Sequence, residues 1–220
     1  MDRIYARLGA GLLGERADLT ILEIGCADGD DTAKLVQMFP KAKFYCFEPD
    51  PRNIYWLKQD RAERFVTLIE AAVSDTDGTA VFNLSSGRGP CSVSGPKGEW
   101  TYSSSLKKPT GHLKEFPWCK FQKTAKVKTV RLDTFVGEHG IADVDFIWMD
   151  VQGAEDLVIA GGAGTLSRTR YLYTEADDGG LYEGQLGGDA IIERLPGGRE
   201  EWEVVEKFDF DVLLRNRAMA

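Results

Sequence analysis

The chain has 220 residues, 43% of them hydrophobic, enough to bury a full core and most simply a single domain spanning residues 1–220. Its net charge of −8 argues against long phosphate backbones as general partners, because such binding depends on clustered Lys and Arg. No stretch approaches the roughly 18 apolar residues of a membrane span, and the start lacks the basic-then-apolar layout of a secretory signal, so a soluble cytoplasmic protein is expected.

Residues 1–18 read as an amphipathic helix, with Ile4, Leu8, Leu12 and Leu13 at helical spacing, that caps the fold or covers a ligand. Leu19 to Leu22 with Ile24 form a short buried strand, and Gly25 and Gly29 turn the chain into a helix beginning near Asp31 and Thr32. Its apolar face, Ala33, Leu35, Val36 and Phe39, ends at Pro40. A strand over Lys43 to Phe47 leads at once to Glu48-Pro49-Asp50-Pro51 and a helix carrying Ile54, Trp56 and Leu57. Phe65 to Ile69 and Ala71 to Val73 read as a third strand, and Thr79 to Leu84 as an added one with Val81 and then Phe82 as its buried residues.

Between Ser85 and Lys126 the pattern breaks down into Gly, Ser, Pro and Lys with isolated aromatics. A structureless stretch of this length inside a compact domain is a functional loop or lid, and the aromatics favour one that packs. Its basic run, Lys107, Lys108, Lys114, Lys120, Lys123, Lys126 and Lys128, reads first as a solvated loop face and second as a local anion site. Regularity returns with a strand over Val127 to Val130 and a helix from Asp133 to His139. Val144 to Met149 is a core strand, followed by a helix through Leu157 to Ala160, and Tyr171 to Thr174 is the fifth main strand. After a helix over Asp189 to Leu195, Trp202 to Phe208 and Val212 to Arg215 make a terminal hairpin. Strand–helix units closed by a hairpin describe an α/β, doubly wound, mostly parallel sheet with an antiparallel last strand.

Cys26, Cys46, Cys91 and Cys119 include no C-x-x-C pair, and only two histidines exist to complete any zinc site. Reduced thiols fit best; a Cys91–Cys119 bridge across the loop is the alternative.

Ligands of open parallel sheets bind outside the carboxyl ends of the strands. Here those ends hold Glu23 to Gly29, Glu48, Ala71 to Asp75, Asp150 and Glu175, so four of five carry an acid. A carboxylate after the second strand accepts the vicinal hydroxyls of a ribose, the role expected of Glu48. The first loop lacks the G-x-G-x-x-G of a dinucleotide site, and Asp28, Asp30 and Asp31 crowd the place of a pyrophosphate. Negative charge there suits a cationic, phosphate-free ligand such as S-adenosylmethionine.

The segments Leu-Glu-Ile-Gly-Cys-Ala-Asp-Gly (22–29), Phe-Glu-Pro-Asp-Pro (47–51), Ala-Ala-Val-Ser-Asp (71–75) and Ser-Ser-Ser-Leu (103–106) with His112 stand in this order. Val-Arg-Leu-Asp-Thr-Phe (130–135), Met-Asp-Val-Gln-Gly-Ala-Glu (149–155), Tyr-Thr-Glu (173–175) and Leu-Tyr-Glu-Gly-Gln (181–185) follow. From about Leu19 to Arg215 the chain thereby resembles the FkbM-type S-adenosylmethionine-dependent methyltransferases. Glu23 stands where the family's first motif often has Asp, and Ala27 where it has Asn, with Asp28 and Asp30 near enough to compensate.

The resemblance implies a Rossmann-like class I methyltransferase fold with a seven-stranded sheet and methyl transfer to a hydroxyl of a small molecule, sugar or glycan. It implies cofactor binding by Glu23, Gly25, Cys26, Ala27, Asp28, Gly29, Thr32, Glu48, Pro49, Ala72, Val73 and Asp150, and acceptor binding by Ser104, Ser105, Gln152, Glu175 and Tyr182. His112, with an ordinary pKa near 6.5, is expected as general base, and Asp150, joined by Glu175, is expected to face the reacting centre and orient the acceptor or the cofactor's amino group. His139 reads as structural. An Asp150/Glu175 metal pair lacks a third ligand, and no metal is expected. Two other readings compete: a ribose 2′-O-methyltransferase acting on RNA through the basic lid, and a non-catalytic module that binds S-adenosylmethionine.

Overall fold

The strand Val144–Met149 is buried at all six positions, as expected of a strand with both faces covered. It lies mid-sheet in the computed structural model of the chain, which describes residues 2–14, 18–59, 64–89, 98–178 and 180–219. In chain order the elements are α1 (Asp2–Gly9), β1 (Thr20–Ile24), α2 (Asp30–Met38), β2 (Lys43–Phe47), α3 (Pro51–Gln59), β3 (Thr67–Ile69), β4 (Ala72–Val73) and β5 (Gly78–Ser86). Then come α4 (His112–Glu115), β6 (Lys120–Val130), α5 (Leu132–Glu138), β7 (Val144–Met149), α6 (Glu155–Gly161), α7 (Ala163–Leu166) and β8 (Thr169–Glu175). The chain closes with α8 (Gly188–Arg194), α9 (Gly198–Glu201), β9 (Trp202–Lys207) and β10 (Asp211–Asn216).

Seven strands form one sheet in the order β3-β2-β1-β7-β8-β10-β9. The first five are parallel, and β10 runs antiparallel to both β8 and β9. The chain leaves β1 toward β2 on one side and later returns to pair β7 on the other, so the β1/β7 boundary is the crevice where such sheets bind ligands. Alternation along each strand feeds two apolar layers: Leu22 and Ile147 face one, Ile21 and Phe146 the other. No described helix is long and apolar enough to cross a membrane.

Four expectations need correction. The amphipathic helix over 1–18 is α1 alone, because Gly11 and Gly14 take φ of +88° and +73°, yet Ile4, Leu8 and Leu13 are buried. The third strand is two: Ala71 N donates to Ile69 O at 2.9 Å, a tight turn that sends β3 to the main sheet and β4 to a second one. That second sheet, β4-β6-β5, packs by one face only, which exposes Val81 (62%) and buries Phe82 (5%). The aperiodic stretch is also shorter at both ends: Ser85 and Ser86 belong to β5, and β6 begins at Lys120. Of the proposed Cys91–Cys119 bridge, Cys91 lies outside the described residues, and Cys119 is a buried thiol.

Candidate active site

The loop after β1 is pressed against the loop after β7. Asp150 N donates to Ile24 O at 2.9 Å, and Gly25 has φ +90° with a Cβ direction that would end 1.9 Å from Asp150 O. Only glycine fits there. Gly29, φ +86°, opens α2 against Leu57, and Thr32 in the first turn of α2 donates to Glu23 at 2.5 Å. Burial pushes the Glu23 carboxyl up to about 7, against the pull of Thr32.

At the end of β2, Glu48 is 4% exposed and accepts from the backbone N–H groups of Ala27 at 2.8 Å and Asp50 at 2.7 Å. Asn53, on α3, adds a longer contact through its amide nitrogen at 3.4 Å. Burial outweighs these donors and pushes Glu48 up to about 8. Beside it Asp50 is fully buried, paired with Arg52 at 2.7 Å and with the Ser104 hydroxyl at 3.1 Å.

Residues 98–119, joining β5 to β6, form a roof over these strand ends. The Tyr102 hydroxyl donates to Asp28, Ser85 N donates to Ser104 Oγ at 3.0 Å, and Ser105 Oγ donates to Gln152 O at 2.7 Å. Asn83 and Ser105 exchange backbone hydrogen bonds of 2.8 and 3.1 Å, which stitches the roof to β5. Trp100 packs edge-on to Tyr102 and Trp118, with ring centres 5.1 and 4.9 Å away. The serines and aromatics that break the sequence pattern are the fastenings of this roof.

Between roof and strand ends lies a cavity of about 420 Å³. Ile24, Phe47, Ala72, Val73, Phe82 and Leu106 give it apolar walls, while Glu23, Asp28, Asp30, Asp31, Glu48 and Asp150 line it as acids. Lys34 is the one lysine or arginine among its described lining residues. The α1 residue Tyr5 closes one side, its hydroxyl 2.5 Å from Asp31 and its ring stacked on Trp148, another lining residue.

At the end of β7 the side-chain amide of Gln152 donates to Asp150 at 2.7 Å and to Glu175 at 3.3 Å. Its amide oxygen accepts from Tyr182 at 3.0 Å, and Tyr182 also reaches Ser103 O at 2.7 Å. Gln152 has φ +54°, a strained value for a residue with a side chain, and these bonds hold it there. Asp150 opens to the cavity yet is enclosed by protein, which pushes it up to about 6 against the pull of Gln152; Asp211 and Asp31 raise it further. Burial, then Asp150 and Glu155, push Glu175 up to about 9.

Of the residues singled out from sequence, Glu23, Gly25, Cys26, Ala27, Asp28, Glu48, Pro49, Ala72, Val73, Ser104, Asp150 and Gln152 line the cavity. Gly29, Thr32, Ser105, Glu175 and Tyr182 stand one layer behind, bonded or packed to those that do. His112 is elsewhere. It is 3% exposed, its backbone N–H donates to Leu181 O, and its ring sits among Phe116, Phe121 and Tyr182 at centre distances of 5.0, 5.2 and 5.6 Å. It does not line the cavity, and burial holds its pKa below the ordinary value, so this geometry does not present it to a hydroxyl. Sequence reading passed over Asn53, Thr101, Tyr102 and Trp148 as lining residues. Asn53 alone had a local signal, its place on the helix directly after Glu48.

In sequence, residues 23–212 match the methyltransferase FkbM domain. The chain is 44% identical over 208 residues to the 2-O-methyltransferase NoeI of Sinorhizobium fredii, an alignment that covers 92% of this chain and 81% of that protein. It is 31% identical over 179 residues to the tRNA N(3)-methylcytidine methyltransferase trm141 of Schizosaccharomyces pombe, covering 71% and 69%. Among solved structures it is similar to a methyltransferase FkbM of Methylobacillus flagellatus, with a TM-score of 0.51 at 13% identity over 91% of this chain. The chain spans 44% of that protein's length, and the likeness is one of fold.

Proposed function

The chain belongs to the FkbM methyltransferase family, and from that premise we propose that it transfers a methyl group from S-adenosylmethionine to a hydroxyl oxygen of a sugar or other small molecule. The observation that carries this reading is the acid-lined cavity at the β1/β7 crevice, in a chain 44% identical to a 2-O-methyltransferase.

The cavity fits such a cofactor. Six acids line it against one lysine, which suits a ligand bearing a sulfonium and an ammonium and disfavours one bearing phosphates. Ala72, Val73 and Phe82 offer an apolar slot for a purine, Glu48 a carboxylate for the ribose, and Asp28 a carboxylate for the ammonium. S-adenosylmethionine supplies a methyl group on a cationic sulfur, so the protein's task is to bring an acceptor oxygen into line with it and remove a proton. Asp150 is the group for that proton: it faces the cavity, is oriented by Gln152, and has a pKa raised toward neutrality. The roof covers the cavity, fastened to Asp28 by Tyr102, whose ring packs edge-on to Trp100.

Purified protein given S-adenosylmethionine labelled in the methyl group should label hydroxylated sugars or small molecules. Label on RNA alone would favour the tRNA-acting relative's substrate class, for which the exposed Lys120, Lys126 and Lys128 are the supporting feature. Cofactor binding with no transfer to any acceptor would favour a binding module.

A further inference from the structure

Asp150 stands among other carboxyl groups: Asp31 faces it from α2, Asp211 from β10, Glu155 from α6 and Glu175 from β8. The hydroxyls of Tyr173 and Tyr182 face it as well. Against these acids Gln152 supplies hydrogen bonds, from its side-chain amide at 2.7 Å and from its backbone N–H. A carboxylate that loses a donor in such surroundings takes up a proton more readily, so the proton affinity of Asp150 depends on how firmly one amide is held. Gln152 does not hold itself. Its φ of +54° is a left-handed conformation that a residue with a side chain adopts at a cost, and groups outside its own loop must fix it.

Those groups belong to the roof and to the segment after β8. Ser105 Oγ donates to Gln152 O at 2.7 Å, which fixes the backbone. The amide nitrogen of Gln152 serves two carboxyls, and the donor that meets its oxygen is the Tyr182 hydroxyl, at 3.0 Å. The same hydroxyl lies 2.7 Å from Ser103 O in the roof. A tyrosine hydroxyl has one proton, so the roof carbonyl and the Gln152 amide share it. Tyr182 is 2% exposed and is built into the roof by its neighbours in sequence. Thr110 N and His112 N donate to Leu181 O at 2.8 and 3.1 Å, and Glu183 N donates to Lys108 O at 2.9 Å. Gly153 leaves room for the ring, since a Cβ there would end 2.8 Å from Tyr182 Cβ. The segments 103–106, 149–155 and 181–185, far apart in sequence, thus meet at one hydroxyl.

We propose that Tyr182 is a positioning residue: bonded at once to Ser103 of the roof and to the oxygen end of the Gln152 amide, it ties the placement of the roof to the orientation of Asp150. The proposal rests on the reading of Asp150 as the group that takes the acceptor's proton. It also gives Tyr182 a different task from the acceptor contact expected of it, since it acts on the acceptor only through Gln152 and Asp150.

The test is a pH titration of the full chain, labelled with carbon-13 at its aspartate carboxyls and followed by NMR, with the Asp150 signal assigned by its loss in Asp150→Asn. Wild type, Tyr182→Phe, Gln152→Met and the double variant are compared. Gln152→Met keeps the side-chain length and removes both of its bonds, and should raise the proton affinity of Asp150 about tenfold. Tyr182→Phe should raise it about threefold with the melting temperature little changed. Added to Gln152→Met it should do nothing more, because its effect passes through that amide. If Gln152→Met does not fold, Gln152→Asn serves as the second background, since its shorter side chain tolerates the left-handed backbone and withdraws the amide. An unshifted Asp150 in Tyr182→Phe would overturn the proposal, as would an equal shift on both backgrounds, which would mean a structural role. The predicted shifts in a wild-type protein that binds no S-adenosylhomocysteine would support the tie between Tyr182 and Asp150 and overturn the cofactor reading instead.

Discussion

The carboxyls of Asp150 and Glu175 are joined through a single amide group: Gln152 Nε2 lies 2.7 Å from one and 3.3 Å from the other. Both are pushed upward, to about 6 and about 9, chiefly by burial. In the unfolded chain they titrate near 3.9 and 4.3. From about pH 4 upward the folded state therefore holds more protons than the unfolded one, and stability falls as pH rises, until each folded pKa is passed. Glu23, Glu48 and Glu155, raised to about 7, 8 and 7, act in the same direction. The melting temperature should decline between pH 5 and pH 9. Glu175→Gln should melt higher than wild type at pH 8 and close to it at pH 5; a melting temperature that rises with pH over this range would refute the arrangement.

Gly25→Ala should abolish the folded state or cost more than about 3 kcal/mol, because the new methyl group meets Asp150 O at 1.9 Å on a backbone of φ +90°. Gly11→Ala is the control. It has nearly the same φ, +88°, with nothing within 4 Å, and should cost only the about 1 kcal/mol of the left-handed conformation. Denaturant unfolding separates the two.

Tyr102→Phe removes the hydroxyl that fastens the roof to Asp28 and keeps the ring against Trp100. S-adenosylhomocysteine should dissociate about threefold to tenfold faster, with melting temperature little changed, since one charge-assisted hydrogen bond is lost from the roof. Stopped-flow release reads this directly.

His112→Phe should retain methyl transfer within about threefold and leave the pH profile of turnover in place, because the imidazole packs among rings and does not line the cavity. His112→Ala should instead destabilise the protein by about 2–4 kcal/mol through the void it leaves. Loss of turnover in the folded Phe variant would restore His112 as base.

Much of the fold is legible along the chain. Leu19 to Gly29 announces a buried strand and a tight turn, and the acids at Glu48 and Asp150 stand at strand ends that the sheet brings to one crevice. β6 was hidden because its outer face carries Lys120, Lys126 and Lys128 and only Val127 and Thr129 are buried, so no apolar period extends back to its start. His112 was misplaced for the opposite reason. Its neighbours in sequence suggest an open loop, while Phe121 and Tyr182, which enclose it, come from β6 and from the segment after β8. Thr101 and Tyr102 reach the cavity only through the tertiary contacts of the roof, which leave no local trace, while Trp148 stands there as the residue two before Asp150 on β7.

The central claim is that this cavity delivers a methyl group to oxygen. Incubation with S-adenosylmethionine carrying a carbon-13 methyl group, over a panel of free and oligomeric sugars, hydroxylated small molecules and RNA, followed by NMR of the products, tests it most directly. The account predicts a new O-methyl resonance on a sugar or small-molecule hydroxyl, lost in Asp150→Asn while S-adenosylhomocysteine still binds. A methyl group on nitrogen or carbon, or undiminished O-methylation by Asp150→Asn, would contradict it.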